Sequence, residues 1–115
     1  MATRRWRLYT APGGGNPVKK EIEAARLSKG ELGRLGELMD RVAEGRTLPK
    51  DVKDLHNGVL EFKLNLRQRS YRLLYAEVDN GLILLALHFF SKKTQVDRKA
   101  VDLAVERLRQ WRASQ

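Results

Sequence analysis

The sequence contains no cysteine, and this absence excludes several kinds of site at once. Disulfide bonds, thiolate zinc centres and cysteine nucleophiles all need a thiol, so none of them is available to this chain. Histidine is scarce as well, with only two residues, His56 and His88. Neither has a histidine or carboxylate neighbour at the spacing of metal ligands, so we expect no metal site and no cofactor.

Long apolar segments are also missing, since no run reaches the roughly 18 residues that a membrane span needs. The N-terminal segment MATRRWRLYT passes from basic residues directly into strand-like sequence and lacks the apolar core of a signal peptide. We therefore expect a cytoplasmic protein. With 115 residues, 42% of them hydrophobic, the chain is expected to fold as one domain over residues 1–115.

Positive charge is the strongest compositional feature of the chain. Lysine and arginine outnumber aspartate and glutamate by 23 to 14, which gives a net charge of +9. A small domain with this excess attracts polyanions, and phosphate backbones are the commonest of them. Composition leaves three interpretations open: nucleic-acid binding, which we favour, an acidic protein partner, or a charged surface that only maintains solubility.

The stretch from Leu60 to Thr94 alternates apolar and polar residues and predicts an antiparallel meander. Its strands are predicted at Leu60–Leu66, Tyr71–Val78 and Leu82–Phe90. Asn80-Gly81, between the last two strands, is typical of a hairpin turn. An earlier strand is predicted around Trp6, and residues 51–58 are predicted to form a loop.

Helical spacing predicts three helices. Asn16 and Pro17 are typical of an N-cap and a first helical residue, and Ser28 with Glu31 forms a capping box before the second helix. That helix should end at Gly45 and bury an apolar stripe made of Leu32, Leu35, Leu38, Met39 and Val42. The third helix is predicted to begin after Asp97 and to present one apolar face with Val101, Ala104, Leu108 and Trp111.

The element order β-α-α-β-β-β-α predicts an α+β fold with a small antiparallel sheet. Helices one and two are expected to cover one face of the sheet, and a C-terminal helix completes the fold. The other face would then be partly open. The first meander strand should present its polar residues there, namely Glu61, Lys63, Asn65 and Arg67.

Cations in and beside the meander are the most informative candidates for a functional site: Lys63, Arg67, Arg69, Arg72, Lys92 and Lys93. In an antiparallel meander the start of the middle strand can lie near the end of the next one, so these groups can converge on one phosphate. Such a cluster holds a phosphodiester and stabilises the transition-state charge without a metal or a histidine. The alternative is a basic edge that discourages aggregation, and the residues leave both interpretations open.

Other catalytic patterns are weakly represented. Ser70 and Ser91 lie next to strands, but neither is part of a Gly-x-Ser-x-Gly turn. His88, within a strand, is more typical of a structural residue than of a catalyst. His56, in a polar loop, is the better candidate for an acid or base.

Three motifs, in order along the chain, carry a resemblance to a known family. They are Asp54-Leu-x-x-Gly58-Val-Leu-Glu-Phe-Lys63, Tyr71-Arg-Leu-Leu-Tyr75 and Leu85-Ala-Leu-His88-Phe-Phe-Ser-Lys92-Lys93-Thr94. In this order and spacing the sequence resembles the RelE/ParE toxin superfamily, and within it the phage-derived, HigB-like branch. The resemblance extends from the first strand to about Trp111.

The resemblance implies a toxin of a type II toxin–antitoxin system. Such a toxin is a compact domain that cleaves mRNA in the A site of the 30S ribosomal subunit without a metal, and an antitoxin, expected to be a helix-turn-helix protein, neutralises it. Carried over by position, the resemblance implies catalytic roles for Lys63, Arg72, Lys93 and His56. We expect contacts to RNA or phosphate from Lys92, Arg67, Arg69 and Asn65.

Two other functions remain open at the level of the sequence. The ParE branch inhibits a protein target such as gyrase without catalysis, and a plain nucleic-acid-binding module would also account for the charge. The sequence departs from the nuclease pattern at Asn65, where some RelE members have a lysine, and no tyrosine follows Lys92-Lys93.

Overall fold

The computed structural model describes residues 4–91 and 98–115, which are organised around a five-stranded mixed sheet. The elements follow the chain as β1 (Arg5–Leu8), α1 (Pro17–Ala24), α2 (Lys29–Ala43), β2 (Val52–Asp54), β3 (Leu60–Asn65), β4 (Ser70–Val78), β5 (Ile83–Ser91) and α3 (Arg98–Ala113). A short 3-10 helix at Pro49–Asp51 leads into β2. Across the sheet the order is β1-β5-β4-β3-β2, with β1 parallel to β5 and all other pairs antiparallel.

The predicted α+β class and the antiparallel pairing of the three meander strands are confirmed. The sheet differs from the prediction in two respects. The predicted loop 51–58 contains β2, in which Val52 lies opposite Phe62, and β1 pairs in parallel with β5, so the sheet is mixed. Three residues are too few to show alternation, and β2 is a strand only because the edge of β3 is free to pair with it.

Local signals in the sequence place several element boundaries. In the turn between β4 and β5, Asn80 and Gly81 have positive φ angles of 57° and 81°, the geometry that Asn-Gly turns favour. The Glu31 N–H donates to Ser28 Oγ and the Ser28 N–H donates to the Glu31 carboxylate, which confirms the capping box. Asn16 occupies the N-cap position of α1 without a side-chain hydrogen bond. The predicted cap Asp97 lies outside the described residues.

The apolar stripe of α2 is only partly buried. Leu35 and Val42 are buried in the core, whereas Leu32 is 47% exposed, so the prediction that it is buried is wrong. Leu32 lies in the first turn of α2, and periodicity identifies the apolar side of a helix but not the length of that side which the sheet covers. Among the described residues, no helix combines the length and apolarity that crossing a membrane requires.

One face of the sheet is rich in aromatic residues. Cross-strand partners share a face, so Trp6, Phe62, Tyr71 and Tyr75 lie together on what we call the aromatic face. The Trp6 ring packs edge-on against Tyr75 at a centroid distance of 5.1 Å, and its Nε1–H donates to the Met39 carbonyl of α2 at 2.7 Å. The aromatic face is thus closed by α2.

The opposite face, which we call the polar face, changes character along its length. At the β3–β4 hairpin end it carries Glu61, Lys63, Asn65, Ser70 and Arg72. Farther along β4 and β5 the same face is apolar and mostly buried, and α3 packs there with buried alanine and leucine side chains. The hairpin end of this face therefore presents polar groups to solvent, and exposed Arg5 and Arg7 of β1 lie on the same face at the opposite edge of the sheet.

Candidate functional site

The polar face brings two of the predicted catalytic residues together. Lys63 on β3 and Arg72 on β4 are direct cross-strand partners and therefore lie side by side on one face. Their environments differ, because Lys63 is exposed whereas Arg72 is only 8% exposed. The pair thus combines a solvent-facing ammonium with a guanidinium seated in the sheet.

Glu61 is the buried partner of Arg72. Its Oε1 lies 3.5 Å from Arg72 Nε, and Glu61 is 3% exposed, although alternation predicts it on the open face. Alternation therefore predicts the correct face for Glu61, but this part of the face is covered. Arg72 Nε has no hydrogen bond to any described residue, and Nη1 makes only a long contact of 3.5 Å to the Tyr71 carbonyl. The guanidinium therefore keeps donors that an anion can use.

A shallow cleft of about 650 Å³ lies at the hairpin end of the polar face. Its walls include Asn65, Arg67, Arg69, Ser70 and Ser91. Ser70 Oγ donates to Asn65 Oδ1 at 2.6 Å, which fixes the amide beside the cleft. Three predicted RNA-contacting residues thus share one surface. Ser91, the last residue of β5, lines the same cleft.

Arg69 has partners within the protein. Its guanidinium donates to the Glu31 carboxylate at 2.9 Å and to the Tyr71 hydroxyl at 3.0 Å, so it ties the hairpin to the start of α2. The Ser28 N–H and then Arg69 hold the pKa of the Glu31 carboxyl below its usual value. Arg69 thus makes hydrogen bonds to described residues that Arg67 does not make. Its predicted contact to RNA stays a prediction.

His56 lies apart from the Lys63–Arg72 pair. It is exposed, has a positive φ of 73°, and donates its N–H to Asp54 Oδ1 at 2.8 Å. The cleft that it lines, about 410 Å³ in volume, is shared with Asp54, Glu77 and Arg112 and includes neither Lys63 nor Arg72. Lys92 and Lys93 lie outside the described residues, so their predicted roles stay predictions.

A polar cluster made of residues from α1, β5 and α3 surrounds Glu21. Glu21 Oε1 accepts the Phe89 N–H at 3.0 Å, and Oε2 accepts a hydrogen bond from Arg107 Nη1 of α3 at 2.9 Å. His88 Nδ1 of β5 lies 3.0 Å from the same Oε2, at hydrogen-bond distance but not well aligned. No spacing signal identifies this cluster, because its residues come from three separate elements.

The Glu21 carboxyl is held in its ionised form. Burial raises its pKa, but the contact with His88 and the hydrogen bonds from Phe89 and Arg107 outweigh burial and lower it below the usual 4.5. Tyr75 behaves in the opposite way, since burial raises the pKa of its phenol to about 12 and keeps it neutral. The tyrosine that ends the Tyr71–Tyr75 motif is therefore a core residue.

Acid is expected to destabilise the protein partly through Glu21. Because its pKa is lower in the folded than in the unfolded state, its contribution is fully present above pH 4.5 and is lost as pH falls through the folded value. In urea unfolding at several pH values, Glu21→Gln should reduce the loss of stability in acid. The matched variant Glu23→Gln, at an exposed position of the same helix, should lose as much stability in acid as the unaltered protein. If Glu21→Gln loses as much stability in acid as the unaltered protein, this assignment is contradicted.

Among the described residues, no three histidine or carboxylate side chains lie together as a metal site requires. The described part of the polar face therefore offers cationic and hydrogen-bonding groups for an anion. Its chemistry would rest on holding a phosphate and stabilising charge that develops on it.

Comparison with known proteins identifies a family and a fold. A family profile described as "Phage derived protein Gp49-like (DUF891)" matches residues 22–109. A structure of a mutant E. coli toxin RelE in the free state superposes with a TM-score of 0.58 at 14% identity, covering 93% of this chain and 99% of that chain. No curated protein matches. At this identity the likeness to RelE shows the fold, and the predicted resemblance to the RelE/ParE superfamily is confirmed. The chain belongs to the phage-derived Gp49-like family.

Proposed function

We propose that this protein is the toxin of a type II toxin–antitoxin pair and that it cleaves mRNA on the ribosome. The observation that carries the proposal is the direct pairing of exposed Lys63 with buried Arg72 on the polar face. The exposure of Lys63 and the similarity of the fold to that of RelE support the proposal.

The proposed reaction is attack of a 2′-hydroxyl on the adjacent phosphate, which leaves a 2′,3′-cyclic phosphate and a 5′-hydroxyl. Arg72 and Lys93 would stabilise the phosphorane, and Lys63 would orient or activate the nucleophile. Asn65, Arg67, Arg69 and Lys92 would contact the RNA around the scissile bond. The resemblance implies the role of acid for His56, and the cleft that His56 lines includes neither Lys63 nor Arg72.

The partners follow from the same proposal. The substrate is mRNA in the 30S A site, which implies action in the cytoplasm, and the inhibitor is a cognate antitoxin of the helix-turn-helix kind. The net charge of +9 supports binding to a ribosome-bound RNA, because each cation that meets a phosphate releases counterions. The proposed site needs no metal.

Incubation of the purified protein with programmed ribosomes in EDTA tests the proposal. We expect cleavage of the mRNA, with cyclic phosphate and 5′-hydroxyl ends, and protection when the cognate antitoxin is added. Inhibition of DNA supercoiling without RNA cleavage would instead establish a ParE-like inhibitor. Steeply salt-dependent RNA binding with neither activity would establish a plain binding module.

A further inference from the structure

Within the described part of the Lys63–Arg72 site, the Glu61 carboxylate is 3% exposed and lies 3.5 Å from Arg72 Nε, so it is engaged with that cation and closed to a substrate. Arginine remains protonated in proteins and cannot accept the proton. Transfer of the 2′-hydroxyl proton nevertheless needs a base, and histidine is the usual one. Only two histidines are present in the chain, and His56 lines a separate cleft.

His88 lies on the same face of the sheet as the Lys63–Arg72 pair and is diagonal to Arg72 across β4 and β5. Phe90 is the cross-strand partner of Arg72, and the His88 ring stacks on Phe90 with centroids 4.9 Å apart. Diagonal neighbours such as Arg72 and His88 lie about 7–8 Å apart between Cα atoms, within reach of long side chains. The His88 side chain is 14% exposed, so it is seated in the structure yet still reaches solvent.

The surroundings of His88 are those of an oriented base. Glu21 Oε2 lies 3.0 Å from Nδ1, and Glu21 is itself held by the Phe89 N–H and by Arg107. Arg107 is fixed in turn by the Leu87 carbonyl at 2.8 Å and by the Tyr9 ring, whose centroid is 5.7 Å away. A carboxylate at Nδ1 favours the proton on that nitrogen and leaves Nε2 as the acceptor, the arrangement of a catalytic triad.

We propose that His88 is the general base of the RNA cleavage and that Glu21 is the residue that positions it. This inference rests on the proposed function. His88 Nε2 takes the 2′-hydroxyl proton while the 2′-oxygen–phosphorus bond forms and the phosphorus–5′-oxygen bond breaks. The 5′-oxygen takes a proton from water, and the hydroxide that remains is neutralised by the proton of the imidazolium. Arg107 holds the Glu21 carboxylate in place and does not take part in proton transfer.

Cleavage of mRNA by His88→Gln on programmed ribosomes is the decisive assay. Glutamine can donate a hydrogen bond to Glu21 but cannot accept the proton, so we expect a loss of about 10²- to 10⁴-fold with folding preserved. Imidazole added to His88→Ala should restore part of the cleavage. If His88→Gln cleaves at the wild-type rate, the role of His88 is overturned and the proposed function is not. If the unaltered protein does not cleave, the proposed function is overturned and the role of His88 with it.

The role of Glu21 has a separate readout that does not depend on activity. In ¹⁵N NMR spectra, neutral His88 should carry its proton on Nδ1, with exposed His56 as an internal reference. Glu21→Gln should change this tautomer and reduce cleavage less than His88→Gln does, and the matched variant Glu23→Gln should change neither. A proton on Nε2 in the unaltered protein would overturn the positioning role.

Discussion

Replacement of Lys63 with alanine is expected to reduce mRNA cleavage by about 10²- to 10³-fold, the usual effect of removing one well-placed donor to a transition-state charge. The same change should alter the free energy of unfolding by less than about 0.5 kcal/mol, because Lys63 is exposed and no ion pair joins it to another described residue. Lys63 therefore separates catalysis from stability.

The control for this variant is Lys19→Ala. Lys19 is exposed on α1 and carries the same charge, so its replacement changes the net charge equally without touching the polar face. Cleavage rates on programmed ribosomes and urea unfolding should be measured for both variants at one salt concentration. Equal losses of cleavage in the two would show that only overall charge matters and would contradict the assignment of Lys63.

Removal of either partner of the Glu61–Arg72 pair is expected to lower the free energy of unfolding by about 3–5 kcal/mol. Both side chains are buried, at 3% and 9% exposure, so each single replacement leaves an uncompensated charge inside the protein. This cost arises mainly from the remaining charge and is larger than the net contribution of the intact pair.

A double-mutant cycle distinguishes these contributions. Glu61→Leu and Arg72→Leu should each destabilise the protein strongly in urea, and the double variant should be more stable than either single variant. Losses below about 1 kcal/mol in both single variants would instead indicate a solvated pair. Cleavage by Arg72 variants must be measured under conditions in which each variant remains folded, since otherwise unfolding would be mistaken for a catalytic defect.

The Glu61–Arg72 pair also alters the electrostatics that we propose for the site. With Glu61 beside it, Arg72 contributes hydrogen-bond donors but little net charge. Exposed Lys63 therefore supplies the uncompensated positive charge of the Lys63–Arg72 pair. A phosphate would be attracted first by Lys63 and then oriented by the guanidinium. This division explains why we expect the cleaner catalytic effect at Lys63.

The sequence predicts the strands of the meander well because alternation is a local property. Leu60, Phe62 and Leu64 fall on one face and Lys63 on the other whatever the rest of the chain does. The capping box at Ser28 is likewise formed by residues within one turn of helix. Such signals depend on a few neighbouring residues, so they can be identified before the fold is known.

Alternation alone does not show which part of a face is covered. It places Glu61 and Lys63 on the same side, yet Glu61 is buried and Lys63 is exposed. Likewise, Val52 joins the sheet only because the edge of β3 is available for pairing. Burial and edge pairing depend on elements that are distant in the chain, and no local pattern encodes them.

The sequence by itself determined the α+β class, the meander, the net charge of +9 and the family motifs, because each depends on composition or short-range spacing. Tertiary structure alone decided that Lys63 lies opposite Arg72, since the register of the β3–β4 hairpin sets their pairing. It also decided that Glu21 lies beside His88, 67 positions later, because α1 packs along the edge of β5 that β1 leaves unpaired. Contacts between residues that are distant in the chain depend on tertiary packing, which local sequence patterns do not reveal.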